Sequence, residues 1–298
     1  MRLSDEVLEK YKLAGRIARE AREYGLGLIK EGASMLEVVN TIEALIISKG
    51  AKPAFPVNIA VNDVAAHFTP RHDEVSLVFK KGDVVKLDVG VHVDGYIGDT
   101  ARTVEVGTDN WRDLRRAAEE ALRTAIEMLR PGVDLSLVGA TVEETISSRG
   151  FKAIENLTGH SLERNVLHAG ISVPNVRDRG AGIVKEGDVL AVEPFATNGL
   201  GRVDGRKNSS IYRFQRRRFT RGSEARTLLR EIELNFSNLP FSERWCVRYV
   251  PNPVEALDAL VRAGAISFYP TLREVDGGMV TQAEDTVIVC SDATIVTT

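Results

Sequence analysis

Cysteine is scarce in this chain: Cys246 and Cys290 are the only two in 298 residues. Two cannot build a disulfide framework, and such low usage suits a reducing compartment. Long apolar runs are lacking as well. No stretch approaches the roughly 18 consecutive apolar residues of a spanning helix, so no membrane association is expected. The opening segment, MRLSDEVLEKYKLAGRIAREAREYG, is charged and helical in period, without the apolar core of a secretory signal. These absences together predict a cytoplasmic location. Charge of one sign is also missing: the net charge is −3, which argues against polyanion binding by the molecule's overall field.

What remains is globular material. Hydrophobic residues make up 43% and charged residues 27%, enough to build a core at this length. Residues 5–31 have the period of an amphipathic helix. A second helix starts at Ser34, where S-M-L-E offers a capping box. VNIAVN (57–62) reads as a short strand, and residues 83–107 as a hairpin turning at Asp94-Gly95. Two more helices follow, one closed by Pro131-Gly132 and one over 136–149. GDVLAVEPFAT (187–197) reads as a strand, and residues 279–298 as two or three. Strands and helices thus alternate within two similar halves, an α+β (α/β) domain built by duplication. Residues 201–266 break the pattern. Asn208–Arg221 is polar and arginine-rich, and SEARTLLREIELNF, FSERWCVRYV and PVEALDALVRAGA read as short helices. This stretch is expected to be a helical insertion within a single domain spanning 1–298.

One motif occurs twice. Lys80, Gly82, Asp83 and Val84 of KKGDVVKLD recur at constant spacing as Lys185, Gly187, Asp188 and Val189 of KEGDVLAVE. Each copy carries an apolar stretch that ends on a carboxylate, Asp88 in the first and Glu193 in the second. If Asp94 and Gly95 form the hairpin turn, Val93 faces Tyr96 and Asp99 lies opposite Gly90. Asp88 and Asp99 then share one face as diagonal neighbours, roughly 7–8 Å apart at Cα. Taken alone, such a pair is more often the wet face of a solvated hairpin. Here Glu193 and Glu284 add acids in apolar strands, where an unpaired carboxylate is costly, and His160 in TGHSL adds one nitrogen. An oxygen-rich set with one imidazole suits Mn, Fe or Co, with Zn also open. Two such ions about 3.5–4 Å apart would neutralise the cage.

DVGVHVDGYIGDTA, TGHSLERNVLHAG, EPFAT and QAEDT, in this order, resemble the methionine aminopeptidases. The insertion after EPFAT, with LPFSERW, resembles the type 2 enzymes of archaea. The resemblance covers essentially the whole chain. It implies the pita-bread (creatinase/aminopeptidase) fold, with two pseudo-two-fold-related halves around two divalent ions (Co, Mn, Fe or Zn). By that resemblance Asp88 chelates one ion, Asp99 and Glu284 bridge the pair, and His160 and Glu193 hold the other. Glu193 also accepts the proton of the attacking water. His67, in AAHFTP, touches the scissile amide, and His168, in LHAG, polarises the substrate carbonyl. Phe55, Leu167 and Tyr269 line the methionine pocket. The implied substrates are peptides and nascent proteins with an N-terminal methionine before a small residue, and the implied state is a monomer.

The family usually has histidine after the last glutamate, where this chain has Asp285. Strand alternation points Asp285 away from the Glu284 face. His92, near the hairpin tip, and His72 read as exposed. RFQRRRFTR, with five arginines in residues 213–221, reads either as a solvated edge pairing with nearby acids or as a ribosomal RNA contact. Two rival functions stand beside the main one. A proline-specific aminopeptidase or prolidase would share the site but usually carries a large additional N-terminal domain. A non-catalytic relative that binds RNA or ribosomes would have lost ligands, whereas all five ligand positions are filled here.

Overall fold

The computed structural model describes residues 3–236 and 238–298. Their elements fall into two matching series. The first runs through helices Asp5–Leu28 and Met35–Ser48, then strands Lys52–Pro53, Asn58–Val61, Val64–Ala66 and Val84–Val93. The second runs through helices Arg112–Met128 and Leu135–Ser148, then strands Lys152–Ala153, Thr158–Ser161, Ser172–Pro174 and Val189–Val192. The expected duplication is therefore a repeat of whole elements. The first helix stops at Leu28, three residues short of the stretch read from its periodicity.

The repeated K-x-G-D-V motif is a turn that launches a strand. In both copies the aspartate N–H donates to the lysine carbonyl, at 3.0 Å for Asp83–Lys80 and 3.1 Å for Asp188–Lys185. The aspartate carboxylate accepts the lysine N–H in return, at 2.8 and 2.7 Å. Gly82 and Gly187 take φ of 86° and 92°, a region glycine enters without steric cost. The second helix of each half is capped at the residue that bridges toward this turn. Ser34 accepts from Glu37 N and pairs with Val78; Asp134 accepts from Ser136 N and pairs with Ile183.

Each half has its own core. Helices Asp5–Leu28 and Met35–Ser48 bury Ile17, Ala21, Val39, Ile42 and Ile46 against Ile59, Leu87 and Val89. Helices Arg112–Met128 and Leu135–Ser148 bury Leu114, Ala121, Val142 and Ile146 against Leu190, Val192 and Val287. The first helix lies directly on the hairpin, since a Cβ on Gly98 would stand 2.6 Å from Gly15 Cα. The halves are stitched by an antiparallel bridge. Ala101 N donates to Glu284 O at 3.2 Å, and Glu284 N to Ala101 O at 2.9 Å. The carboxylates meet at this seam.

The 201–266 stretch differs from its reading at its start. Residues Val203–Phe214 form a long strand, and only afterwards do helices Ser223–Asn235, Glu243–Cys246 and Pro253–Arg262 follow. The strand's polar composition hid it. What holds it is pairing on both edges, with Ile266–Glu274 and with Phe241–Ser242, and such partners override local propensity. Tyr212, Leu228, Ile232, Phe241, Leu257 and Leu260 give this stretch a small core of its own. Among the described residues, no helix is long and apolar enough to cross a membrane.

Candidate metal centre

Asp88 and Asp99 come from the hairpin strands Val84–Val93 and Tyr96–Glu105. The register pairs Val93 with Tyr96 and Gly90 with Asp99, and Asp94 and Gly95 turn at φ 52° and 90°, a type I′ pair. Alternation then puts both acids on one face, as the hairpin geometry requires. His160 lies in strand Thr158–Ser161, Glu193 directly follows Val189–Val192, and Glu284 stands at the seam. All five line one pocket together with Phe55, His67, Leu167, His168 and Tyr269, so every site residue expected from the sequence converges there.

The arrangement is close and dry. One ligand atom each from Asp99, His160 and Glu284 lie within 4.8 Å of one another. His160 Nε2 is 3.8 Å from Asp99 Oδ2 and 3.6 Å from Glu193 Oε1. Asp99 is 2% exposed and Glu284 1%. Burial raises the Asp88 carboxyl to about 7. Burial first, and repulsion from the neighbouring acids second, push Asp99, Glu193 and Glu284 well above the usual carboxylate range. Burial also lowers His160 to about 3, which leaves a neutral imidazole with a free lone pair, the form that binds metal. Asp88 Oδ1 and Asp99 Oδ1 have no hydrogen-bond partner, and no lysine or arginine side chain is seen on the carboxylates of Asp88, Asp99, Glu193 or Glu284, among the described residues. Four desolvated carboxylates without a cationic side chain, plus one neutral imidazole, fit divalent metal.

The remaining residues surround this cluster. His67 takes φ 58° and meets the Tyr269 ring edge-on at 5.2 Å between centroids. The His168 ring lies 4.4 Å from that of His160. Phe55 packs across Gly90, where a Cβ would meet its ring at 2.1 Å, so glycine at 90 admits the aromatic wall.

Other residues at or beside the pocket escaped the sequence reading. Gln282 Nε2 donates to Glu193 Oε2 at 3.4 Å and Glu284 Oε2 at 3.3 Å, tying an acid from each motif together. Its position two before Glu284 on an alternating strand was the available signal. Asn58 pairs in register with Asp88, while Ile211 and Pro240 reach in from the 201–266 stretch. No local pattern marks those two. Of the two histidines read as exposed, His72 is exposed and His92 half-buried, and both have partners. His92 Nδ1 accepts from Gly95 N at 3.1 Å, and His72 meets the buried carboxylate of Glu243. Asp285 does point away from the pocket, into a buried pairing with Arg22 and Arg102.

The model of metallopeptidase family M24 matches residues 9–249. The fold is similar to that of the methionine aminopeptidase of Thermotoga maritima, at TM-score 0.73 and 24% identity over 100% of this chain and 98% of that one. A prolidase from Pyrococcus furiosus matches at TM-score 0.63 and 19% identity, covering 99% of this chain and 64% of that one. A thermophilic Arx1 matches at TM-score 0.87 and 18% identity, covering 99% and 91%. The fold is thus the pita-bread fold shared by these proteins, and the match to metallopeptidase family M24 implies divalent-metal binding. In sequence, the methionine aminopeptidase of Pyrococcus horikoshii is 46% identical over 98% of this chain and 99% of its own length. That of Methanothermobacter thermautotrophicus is 44% identical over 98% and 99%. The chain belongs to the methionine aminopeptidase family.

Proposed function

We propose that the chain removes N-terminal methionine from peptides and nascent proteins when the following residue is small, using two divalent ions. The observation that carries this reading is the buried carboxylate cage without a cationic side chain, walled by an apolar and aromatic pocket. Co, Mn, Fe and Zn all suit the donor set. Asp88, Asp99, His160, Glu193 and Glu284 hold the ions. When bound, the ions supply Lewis acidity and lower the pKa of attacking water.

The chain's own residues do the rest. Glu193, 14% exposed at its side chain, stands at the pocket and accepts the water's proton. His168 donates a hydrogen bond to the carbonyl oxygen as charge develops there. His67 orients the scissile amide. Burial lowers His67 to about 4 and lowers His168 too, so both stay neutral near pH 7 and each offers one N–H and one lone pair. Phe55, Leu167 and Tyr269 enclose the methionine side chain, an unbranched thioether that packs well against aromatic rings.

Residues 201–266 act as an inserted unit that completes the pocket through Ile211 and Pro240. The protein works as a cytoplasmic monomer. The arginines of 213–221, with Phe219 85% exposed beside them, contact ribosomal RNA. Arg217 also pairs with Glu233 at 2.6 Å, so the bland role as a charged edge is the competing outcome. Cosedimentation with ribosomes that weakens with salt, and is lost when Arg216, Arg217 and Arg218 become Glu, supports the contact; sedimentation unchanged by the substitutions refutes it.

The test of the main reading is cleavage of Met-Ala-Ser against an Ala-Pro dipeptide. Release of methionine from the first, with the second left intact, supports it. The reverse preference would indicate a proline-specific enzyme, and no cleavage with no bound metal would indicate a binding protein.

A further inference from the structure

His67 sits in a backbone conformation that costs energy. Its φ of 58° lies in the left-handed region, which a residue with a Cβ keeps only when its surroundings hold it there. The hold is visible in the residues that follow. Phe68 O accepts from Ile59 N at 2.8 Å. The Thr69 hydroxyl donates to Val57 O at 2.8 Å. Beyond them, Arg71 and His72 both face the carboxylate of Glu243.

One side chain gathers this segment. Arg244, 6% exposed, comes from the short helix Glu243–Cys246 of the 201–266 stretch. Its guanidinium donates to Thr69 Oγ1 at 2.8 Å, to Pro70 O at 3.0 Å and to Asn40 Oδ1 at 3.1 Å. It also pairs with Glu43, itself 6% exposed on helix Met35–Ser48. Glu43 in turn accepts from Val57 N at 3.2 Å and from Trp245 Nε1 at 2.7 Å. The pair therefore ties three parts of the chain: the first half's helix, the Phe55–Val57 wall, and the segment just after His67. A planar fork with several fixed donors is suited to this, and a lysine ammonium is not.

We propose that Arg244, acting with Glu43, is a positioning residue that holds His67 toward the substrate. The inference rests on the substrate-facing role given to His67 above. It makes the inserted stretch part of the catalytic geometry and not only a pocket wall. Arg244 touches neither the cluster of ligands nor the pocket, so its loss should leave metal binding alone.

The experiment uses the metal-loaded protein with Arg244→Lys and Thr69→Val. The second removes the Thr69 hydroxyl, and with it the bonds to Arg244 and to Val57 O, while leaving the buried ion pair intact, and so covers the case in which the first fails to fold. Arg244→Lys should lower kcat on Met-Ala-Ser by about 10²-fold, the order expected for a misplacement near 1 Å. Thr69→Val should lower it by roughly 10-fold, with KM little moved in both and bound metal equal to wild type. A second readout needs no activity. Carbethoxylation by diethyl pyrocarbonate, followed by mass spectrometry in metal-stripped protein, should speed up several-fold at His67 and stay unchanged at His92. Wild-type kcat together with a wild-type His67 rate in either folded variant overturns the proposal, and equal acceleration at His67 and His92 shows general loosening and overturns it too. If the wild type does not cleave Met-Ala-Ser, the functional reading fails, and the His67 rate still decides the positioning claim.

Discussion

Arg102 holds Asp285 and Glu284 at once. One terminal nitrogen donates to Asp285 Oδ2 at 2.7 Å and the other to the carbonyl oxygen of Glu284, also at 2.7 Å. The Thr100 hydroxyl donates to the same carbonyl at 2.8 Å, and Asp285 Oδ1 accepts from Thr298 at 3.0 Å. Arg22, 4% exposed, reaches Asp285 Oδ1 at 3.4 Å. Behind the pocket-lining Glu284, this chain thus places an acid between two arginines.

Removing that acid should cost stability more than catalysis. Asp285→Ala takes one of two carboxylates from buried Arg22, which keeps Glu23 at 2.7 Å, and takes the 2.7 Å partner from Arg102, a loss on the order of 1–3 kcal/mol. Urea unfolding should show it as a lower midpoint at unchanged slope. Asp285→His should also lower the midpoint, yet keep kcat on Met-Ala-Ser within about threefold, because the side chain faces away from the pocket. A large loss of kcat with an unchanged midpoint would reverse this assignment.

Gln282 should behave differently. Its amide bridges Glu193 and Glu284, and no other side-chain donor is seen on either acid among the described residues. Gln282→Leu keeps the volume and removes the donor. Metal affinity should fall by about 10- to 100-fold, the range for residues that orient ligands, with little change in unfolding midpoint of the metal-free protein. Calorimetric titration of the stripped variant checks it, and wild-type affinity would remove Gln282 from the site.

Much of this was legible in the sequence, for reasons that differ by element. The hairpin register followed from two turn residues, Asp94 and Gly95, because a two-residue turn fixes every pairing behind it. The repeat announced the duplicated halves because the same turn chemistry, a glycine at positive φ and an aspartate capping a lysine N–H, is needed at both places. The pocket-lining acids stood out because carboxylates are rare in apolar strands. What stayed hidden depends on contacts between distant segments. The Val203–Phe214 strand has polar composition and is defined by its partners. Ile211 and Pro240 enter the pocket only through tertiary packing. His92 looked exposed at a hairpin tip, and nothing local showed that it accepts the Gly95 N–H.

That acceptor role gives a pH dependence outside the metal centre. Burial first, and the nearby Lys52 second, lower His92 to about 4, opposed by Asp94. A histidine depressed in the folded state binds fewer protons than in the unfolded chain between about 6.5 and 4. Its contribution is therefore fully present above pH 6.5 and is lost as the pH falls toward 4, by on the order of 1–3 kcal/mol. His92→Gln removes the titration. Stability measured at pH 7 and pH 4.5 should drop less in the variant than in wild type, and equal drops would contradict the account.

His168 separates chemistry from metal holding. It is assigned to the substrate carbonyl, so His168→Ala should keep both ions and lose about 10²–10³ in kcat, with a smaller change in KM. Elemental analysis and steady-state kinetics on one preparation measure both. Loss of metal from this variant would move His168 into the ligand set.

Asp88, Asp99, His160, Glu193 and Glu284 are proposed to form one cage for two ions. The most direct test is calorimetric titration of metal-stripped protein with Mn²⁺, read beside recovery of Met-Ala-Ser cleavage. Two ions should bind per wild-type chain, with activity returning as they bind, and Asp99→Ala and Glu284→Ala should bind fewer ions and show no activity. Wild-type protein that binds no Mn²⁺, or either variant binding and cleaving as the wild type does, would contradict that assignment.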